Sequence, residues 1–185
     1  MTKIEAARQE YVDWCHAIGI DSLQKVNEIL EAGDAVDLIN LCEARQERKY
    51  AALADQIFWN RRRSKIVMMS GPSSSGKTSS ALRIAQQCRV LGLNPKVIEL
   101  DNYFVERDKT PLDENGEKDY ESLAAMNIEL LGDNLNALLA GEEVIIPKFD
   151  FIKGRTVFDG KRSMKLEKND ILFMEGIHAL NPALT

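Results

Sequence analysis

Residues 65–82 read KIVMMSGPSSSGKTSSAL, and this stretch decides the fold. The apolar run at 66–69 is typical of a buried strand, and the pattern from residue 76 onward is typical of a helix. Between them, residues 71–78 match G-x-x-x-x-G-K-[ST] at every fixed position. Glycines let backbone N–H groups turn inward, and the helix that follows directs its N-terminus at an anion. The stretch therefore predicts a phosphate-binding loop, with a chance Gly/Ser-rich turn as the alternative.

The residue types in this loop assign its chemistry to particular side chains. Lys77 is expected to reach the β and γ phosphates of a nucleotide, and the hydroxyl of Thr78 is expected to ligate Mg²⁺. The predicted nucleotide-binding set comprises Gly71, Ser73, Ser74, Ser75, Gly76, Lys77, Thr78 and Ser79.

Composition bounds the classes of function. The chain has 185 residues, of which 44% are hydrophobic and 29% charged, so the whole chain is expected to fold. A net charge of −5 argues against nonspecific binding of nucleic acid, so no nucleic-acid partner is expected. The cysteines at 15, 42 and 88 form no C-x-x-C pair, which suits a reducing, cytoplasmic location.

The sequence also indicates the absence of two kinds of feature. His16 and His178 are the only histidines and neither has a partner at metal-ligand spacing, so no zinc site is expected. No apolar run approaches the length of a membrane span, and the N-terminus does not resemble a signal peptide. No membrane partner is therefore predicted.

Residues 1–63 carry a purely helical pattern. Asp21 or Ser22 is placed to cap a second helix that Gly33 would end, and a third helix is predicted over 34–60. An arm of this size must bury its apolar stripe on the rest of the chain or on another chain, which leaves a homo-oligomer open. We therefore predict an all-helical N-terminal extension over residues 1–63.

From residue 64 to 185 strands and helices alternate, which predicts an α/β domain with a mainly parallel sheet and flanking helices. The strand at 96–100 delivers Asp101, and a buried strand at 170–176 carries Glu175 near its end. Because ligands bind at the carboxyl ends of parallel strands, both acids are expected beside the phosphate-binding loop.

Each of these acids has two interpretations. Asp101 is a candidate catalytic carboxylate, or it starts a turn. Glu175 is a candidate Mg²⁺-binding carboxylate close to Thr78, or a solvated group at a strand end.

The segment between the two strands is predicted less regularly. Residues 105–118 are polar and look like a surface excursion. An amphipathic helix is predicted over 122–140, and Asp159-Gly160 between 156–158 and 164–166 predicts a β-hairpin.

Taken together, these motifs resemble the uridine kinase and phosphoribulokinase family of P-loop kinases. The similarity covers about residues 65–184 and depends on GPSSSGKT, ELDNYF, PKFDF and ILFMEGIHALNP. The chain looks most like uridine-kinase-like proteins whose N-terminal part resembles threonyl-tRNA synthetase. The resemblance implies a P-loop NTPase-type sheet and ATP-dependent phosphoryl transfer, with Mg²⁺, to a hydroxyl of a small molecule, most simply a nucleoside.

The resemblance also implies roles for single residues. Asp101 resembles the general base and belongs, with Thr78 and Glu175, to the predicted metal shell, while Lys77 acts on the phosphates. The predicted substrate-binding residues are Tyr103 near the acceptor, Asp119 on ribose hydroxyls, Phe149 in the acceptor segment, and Arg155 at its end.

Departures from the family pattern keep alternatives open. Residues 149–155 read FDFIKGR, one residue shorter than the uridine kinase pattern and without its histidine, so a sugar phosphate or other non-nucleoside acceptor remains an alternative. A third possible function, after these two kinds of kinase, is a nucleotide-binding regulatory module without turnover. The chain ends ten residues after Glu175 with no arginine-bearing lid, and we therefore expect a truncated kinase domain.

Overall fold

The computed structural model describes residues 2–184. The chain divides into two compact units, residues 1–49 and 50–185. The division falls inside one helix, α3 (Ala35–Asn60), whose last turns belong to the second unit. The predicted boundary after residue 63 stays a prediction. The structure divides earlier because Ala54 and Ile57 of α3 pack into the core of the second unit.

The first unit is helical, as the sequence pattern indicates. It contains α1 (Lys3–Ala17), α2 (Leu23–Glu31) and the first part of α3. Ser22 caps α2, accepting a hydrogen bond from the backbone of Lys25 at 3.3 Å. Gly33 follows α2 with φ +89°, a conformation that glycine adopts without strain.

The second unit is organised around a three-stranded parallel sheet. Its strands are β1 (Ile66–Met69), β2 (Asn94–Glu99) and β7 (Asp170–Glu175), with β7 between the other two. All six residues of β7 are buried. Together with α4 (Lys77–Val90) and α5 (Ile128–Leu139), this sheet confirms the predicted α/β class.

One hydrophobic cluster packs against each face of the sheet. On one face Leu172 and Met174 pack with Leu131 and Leu138 of α5. On the other, Phe173 packs with residues of α4 and of the last turns of α3. Glu175 follows Met174, and strand residues alternate between faces, so its side chain lies on the α4 face. This alternation brings Glu175 to the side of the sheet where the phosphate-binding loop begins α4.

Between α5 and β7 lie four short strands. They are β3 (Val144–Ile145), β4 (Lys148–Asp150), β5 (Arg155–Val157) and β6 (Ser163–Met164). The pairs are β4–β5 and β3–β6, both antiparallel.

The predicted hairpin centred on Asp159-Gly160 is therefore wrong. The tight turn lies at 151–154, where Asp150 Oδ1 accepts from the backbones of Ile152 and Lys153 at 3.1 and 3.0 Å. Gly154, with φ +64°, completes it. These bonds stabilise the β4–β5 hairpin, so Arg155–Val157 pairs backward with β4 and the predicted strand at 156–158 does not pair forward with 164–166.

The amphipathic helix α5 begins later than the predicted residue 122. Ser122 Oγ accepts from the backbone of Ala124 at 3.3 Å and starts a 3₁₀ turn over Leu123–Ala125. Asn127 then caps α5 through a 3.1 Å bond from Leu130 N. Two polar side chains thus divide one apolar pattern into a turn and a helix. Among residues 2–184, no helix is both long and apolar enough to cross a membrane.

Candidate active site

The phosphate-binding loop joins β1 to α4. Gly76 is the N-cap of α4 with φ +80°, in the left-handed region, and Ser74 also has a positive φ of 58°. A Cβ at Gly71 would lie 2.8 Å from Ser75 Oγ and 3.3 Å from Lys77 Cγ, so a larger residue there would displace these two side chains. Ser75 N donates to Pro72 O at 3.3 Å. The loop is thus a compact turn at the start of a helix, the geometry that suits a phosphate group.

Two side chains of this helix start point into the site. Lys77 Nζ donates to the carbonyl of Pro72 at 2.9 Å, so its ammonium lies over the loop. Thr78 Oγ1 donates to Glu175 Oε1 at 2.8 Å. Glu175 is 7% exposed, and the hydroxyl of Thr78 compensates part of the cost of burying its carboxylate. The residues predicted at both ends of this bond are therefore in direct contact.

The carboxyl ends of the three strands form one row. Met69 and Glu99 are the register partners of Glu175 on β1 and β2. Asp101 follows in the 3₁₀ turn Leu100–Tyr103. It is exposed, yet the protein atoms crowded around its carboxyl raise its pKa; the charge of Lys77 lowers that pKa and the charge of Glu99 raises it. Asp101 thus lies within electrostatic reach of the phosphate-binding lysine.

This arrangement fits a magnesium ion better than a transition metal. The oxygens of Thr78 and Glu175 are hard ligands 2.8 Å apart, and Mg²⁺ bound with a nucleotide uses one or two carboxylates together with phosphate oxygens and water. Within residues 2–184, no group of three or more His, Cys, Asp or Glu side chains is placed to hold a metal by itself. When bound, the ion would neutralise charge on the phosphates, with Thr78 and Glu175 as its protein ligands.

Two of the residues predicted to bind substrate are engaged within the protein. Tyr103 is fully buried in the core, and its hydroxyl accepts a 3.0 Å bond from Asn134 Nδ2. Asp119 Oδ1 accepts from the backbones of Glu121 and Ser122, both at 3.0 Å. Both side chains therefore have a structural role, and their contact with an acceptor stays a prediction.

The other two belong to the β4–β5 hairpin. Phe149 is 5% exposed and packs edge-on against the rings of Phe104 and Phe151, at 5.7 and 5.1 Å between centroids. Arg155 is exposed and lines a cavity of about 500 Å³ together with Arg107 and Lys153. Phe149 thus supports the hairpin from inside, and Arg155 lies on its solvent side.

Two residues beside the loop lie outside the predicted site: Glu121 is not among the predicted site residues, and His178 is considered in the sequence only as a metal ligand. Both line a cavity of about 400 Å³ whose other walls include Ser70, Gly71, Pro72 and Ser73 of the phosphate-binding loop. The Nε2 atom of His178 is buried without a hydrogen-bond partner among the described residues. Glu121 lies two positions after Asp119, and its backbone N–H donates to Asp119 Oδ1 in the turn that precedes the cavity wall. No sequence signal separated these two acids.

Comparisons with known proteins agree with this geometry. The model of the Phosphoribulokinase / Uridine kinase family matches residues 66–182. A uridine kinase of Halobacterium salinarum is 32% identical over 113 residues, 61% of this chain and 48% of that protein. A uridine kinase of Macrococcus caseolyticus is 30% identical over 115 residues, 62% of this chain and 53% of that protein. The chain therefore spans about half the length of these curated relatives.

A solved structure shows the same fold. The structure of a possible uridine kinase from Bacillus stearothermophilus superposes with a TM-score of 0.57 at 25% identity. The match covers 70% of each chain.

Proposed function

We propose, because the chain belongs to the Phosphoribulokinase / Uridine kinase family, that it transfers the γ-phosphoryl group of ATP to a hydroxyl of a nucleoside. The observation that carries the proposal is the contact of Thr78 with Glu175 beside Lys77. Phosphoryl transfer depends on positioning and on neutralising charge, and these three side chains supply both functions for a nucleotide.

In this mechanism the loop amides and the N-terminus of α4 hold the phosphates, and Lys77 exchanges its bond with the Pro72 carbonyl for a phosphate oxygen. Asp101 accepts the proton of the acceptor hydroxyl as the oxygen attacks the γ-phosphorus, and the bond between the γ-phosphorus and the β–γ bridging oxygen breaks so that ADP leaves. The protein atoms around the Asp101 carboxyl raise its pKa, which makes it a better base than an ordinary carboxylate at neutral pH. Thr78 and Glu175 would hold Mg²⁺, whose charge would help to neutralise the phosphates, with Asp101 as a further candidate ligand.

We place the acceptor in the cavity between the phosphate-binding loop and Glu121. A carboxylate there accepts hydrogen bonds from the vicinal hydroxyls of a ribose, which is the role the sequence resemblance had implied for Asp119. His178 offers a second polar group on the same wall. Contacts of Tyr103, Asp119, Phe149 and Arg155 with the acceptor remain predictions from the sequence. The cytoplasmic location, the homo-oligomer and the threonyl-tRNA-synthetase-like character of the arm also remain predictions.

The proposal is tested by an ATP-consumption assay on the full-length protein with Mg²⁺ and a panel of nucleosides, with sugar phosphates as the competing class. We expect acceptor-stimulated turnover with a nucleoside. Asp101→Asn should lower kcat about 10²- to 10⁴-fold while ATP binding changes less than about twofold. Asp133→Asn makes the same chemical change on an exposed position of α5 and serves as the matched control.

Two results would contradict the proposal. Turnover with a sugar phosphate and with no nucleoside would reassign the acceptor. Tight ATP binding without acceptor-stimulated turnover anywhere in the panel would favour a nucleotide-dependent regulatory module instead.

A further inference from the structure

Asn102 bonds to two separate parts of the candidate site. It directly follows Asp101 in the 3₁₀ turn after β2, and it is 8% exposed. Its Nδ2 donates to Glu99 Oε2 at 3.2 Å, and its Oδ1 accepts from the backbone N–H of Phe149 at 3.2 Å. One buried amide therefore connects Glu99, the last residue of β2, with Phe149 in the middle of β4.

The rest of the β4–β5 hairpin is attached to the same short segment. Thr156 Oγ1 donates to the carbonyl of Phe104 at 3.3 Å. Arg107 N donates to the carbonyl of Gly154 at 2.8 Å, and the Arg107 side chain donates to the carbonyl of Phe151. Of these attachments, the one made by Asn102 is closest in sequence to Asp101. A displacement of the hairpin would therefore reach the Asp101 carboxylate most directly through Asn102.

The Nδ2 end of the Asn102 amide bonds to Glu99, which lies at the same edge of the sheet as Glu175. Glu99 is the register partner of Glu175, and its charge acts on Asp101. Neighbouring positions of parallel strands point to the same face, so Glu99 and Glu175 both lie on the α4 side. A hydrogen bond from Asn102 restricts where the carboxylate of Glu99 can lie.

We infer that Asn102 is a positioning residue that holds Asp101 in register with the β4–β5 hairpin and with the acid at the end of β2. This inference rests on the proposed function, because the position of Asp101 matters only if it acts on an acceptor. The task requires a side chain that donates at one end and accepts at the other, which asparagine does and aspartate does not. A catalytic group displaced by about 1 Å can cost roughly 100-fold in rate.

The experiment compares Asn102→Ala and Asn102→Asp with Asn94→Ala. Asn94 provides the matched control because its Nδ2 donates to Asp170 Oδ1 at 2.8 Å, an amide–carboxylate bond at the opposite end of the same strand. For each variant of the full-length protein, kcat and both KM values are measured with Mg²⁺, ATP and the preferred acceptor. Thermal unfolding and the hydrogen exchange of the Phe149 amide are measured in parallel.

We expect Asn102→Ala to lower kcat about 10- to 100-fold, with the KM for ATP within about twofold, and to speed exchange at Phe149. Asn102→Asp keeps the acceptor for Phe149 but loses the donor to Glu99, so it should lower kcat while leaving that exchange slow. Asn94→Ala should lower the melting temperature without changing kcat.

A kcat of Asn102→Ala within twofold of the control would overturn the inference. If that variant does not fold, Asn102→Asp decides: reduced kcat supports the inference, and wild-type kcat overturns it. A wild-type protein without turnover would instead count against the proposed function. In that case unchanged exchange at Phe149 in Asn102→Ala, or in Asn102→Leu if the alanine variant does not fold, would show that Asn102 does not hold the hairpin. Faster exchange would support that part of the inference.

Discussion

Replacing Thr78 by valine removes one hydroxyl from the site while keeping the shape of the side chain. That hydroxyl donates to Glu175 at 2.8 Å, and Glu175 is only 7% exposed. Water therefore has little access to replace the lost donor. A hydrogen bond to a charged group contributes about 1.5–3 kcal/mol, so we expect Thr78→Val to lower the free energy of unfolding by about that amount. For a domain of this size, the melting temperature should fall by roughly 3–12 °C.

The same substitution should remove a magnesium ligand. The assay measures the melting temperature of each protein with ATP plus Mg²⁺ and with ATP plus EDTA. Wild-type protein should gain an additional stabilisation from Mg²⁺, because a ligand that binds the folded state raises its stability by mass action. Thr78→Val should lose most of this increment, and Thr78→Ser, which keeps the hydroxyl, should retain both the increment and most of the melting temperature.

Two outcomes would refute this reasoning. If Thr78→Val melts within about 1 °C of wild type, the hydroxyl does not stabilise the buried carboxylate. If it keeps the full Mg²⁺-dependent increment, Thr78 is not a ligand of the ion and the metal shell must be sought elsewhere.

Two further predictions concern stability. The raised pKa of Asp101 means that folding favours its protonated form, so its contribution to stability is present below the ordinary aspartate pKa of 3.8 and is lost as the pH rises through the folded pKa. Asp101→Asn should therefore stabilise the protein at pH 7, by less than about 1 kcal/mol after solvent screening, and this gain should vanish below about pH 4; an equal gain at both pH values would contradict the assignment. A Cβ at Gly176 would lie 2.7 Å from Leu100 Cβ, whereas one at Gly132 in α5 would meet nothing within 4 Å. Urea unfolding should show Gly176→Ala destabilised by about 1–3 kcal/mol and Gly132→Ala stabilised by about 0.5–1 kcal/mol, and equal effects would refute the packing.

Elements whose signals are local could be predicted from the sequence. The loop motif, the cap at Ser22 and the glycine at 33 depend on residues a few positions apart. The elements α2, β1 and α4 lie close to where these signals place them. The resemblance to kinases likewise depended on short motifs at the ends of strands. Interactions between residues that are close in sequence are therefore sufficient to predict this part of the fold.

Pairing between strands and contacts between distant loops could not be predicted in the same way. The Asp-Gly signal at 159–160 is genuine as a turn, since Asp159 Oδ1 accepts from Lys161 N at 3.0 Å. It does not determine which strands pair, because β5, the strand before this turn, is already paired with β4, which precedes it in the chain. The proximity of Glu121 to the phosphate-binding loop depends on a chain reversal at Asp119 and on the position of residues 177–178. Neither leaves a pattern in the sequence.

The charges at the end of the sheet give a physical argument for function that does not depend on relatives. β7 is buried over its whole length, and a strand of this kind is most stable when it ends in an apolar residue, yet it ends in Glu175. Its register partner on β2 is Glu99, so two acids end neighbouring strands at the same edge of the sheet. Asp101 follows in the next turn, where the charges of Lys77 and Glu99 both act on it. A fold retains the cost of a buried carboxylate where a bound cation compensates it, so Glu175 at this edge favours, without reference to relatives, the metal-assisted phosphoryl transfer proposed for this protein.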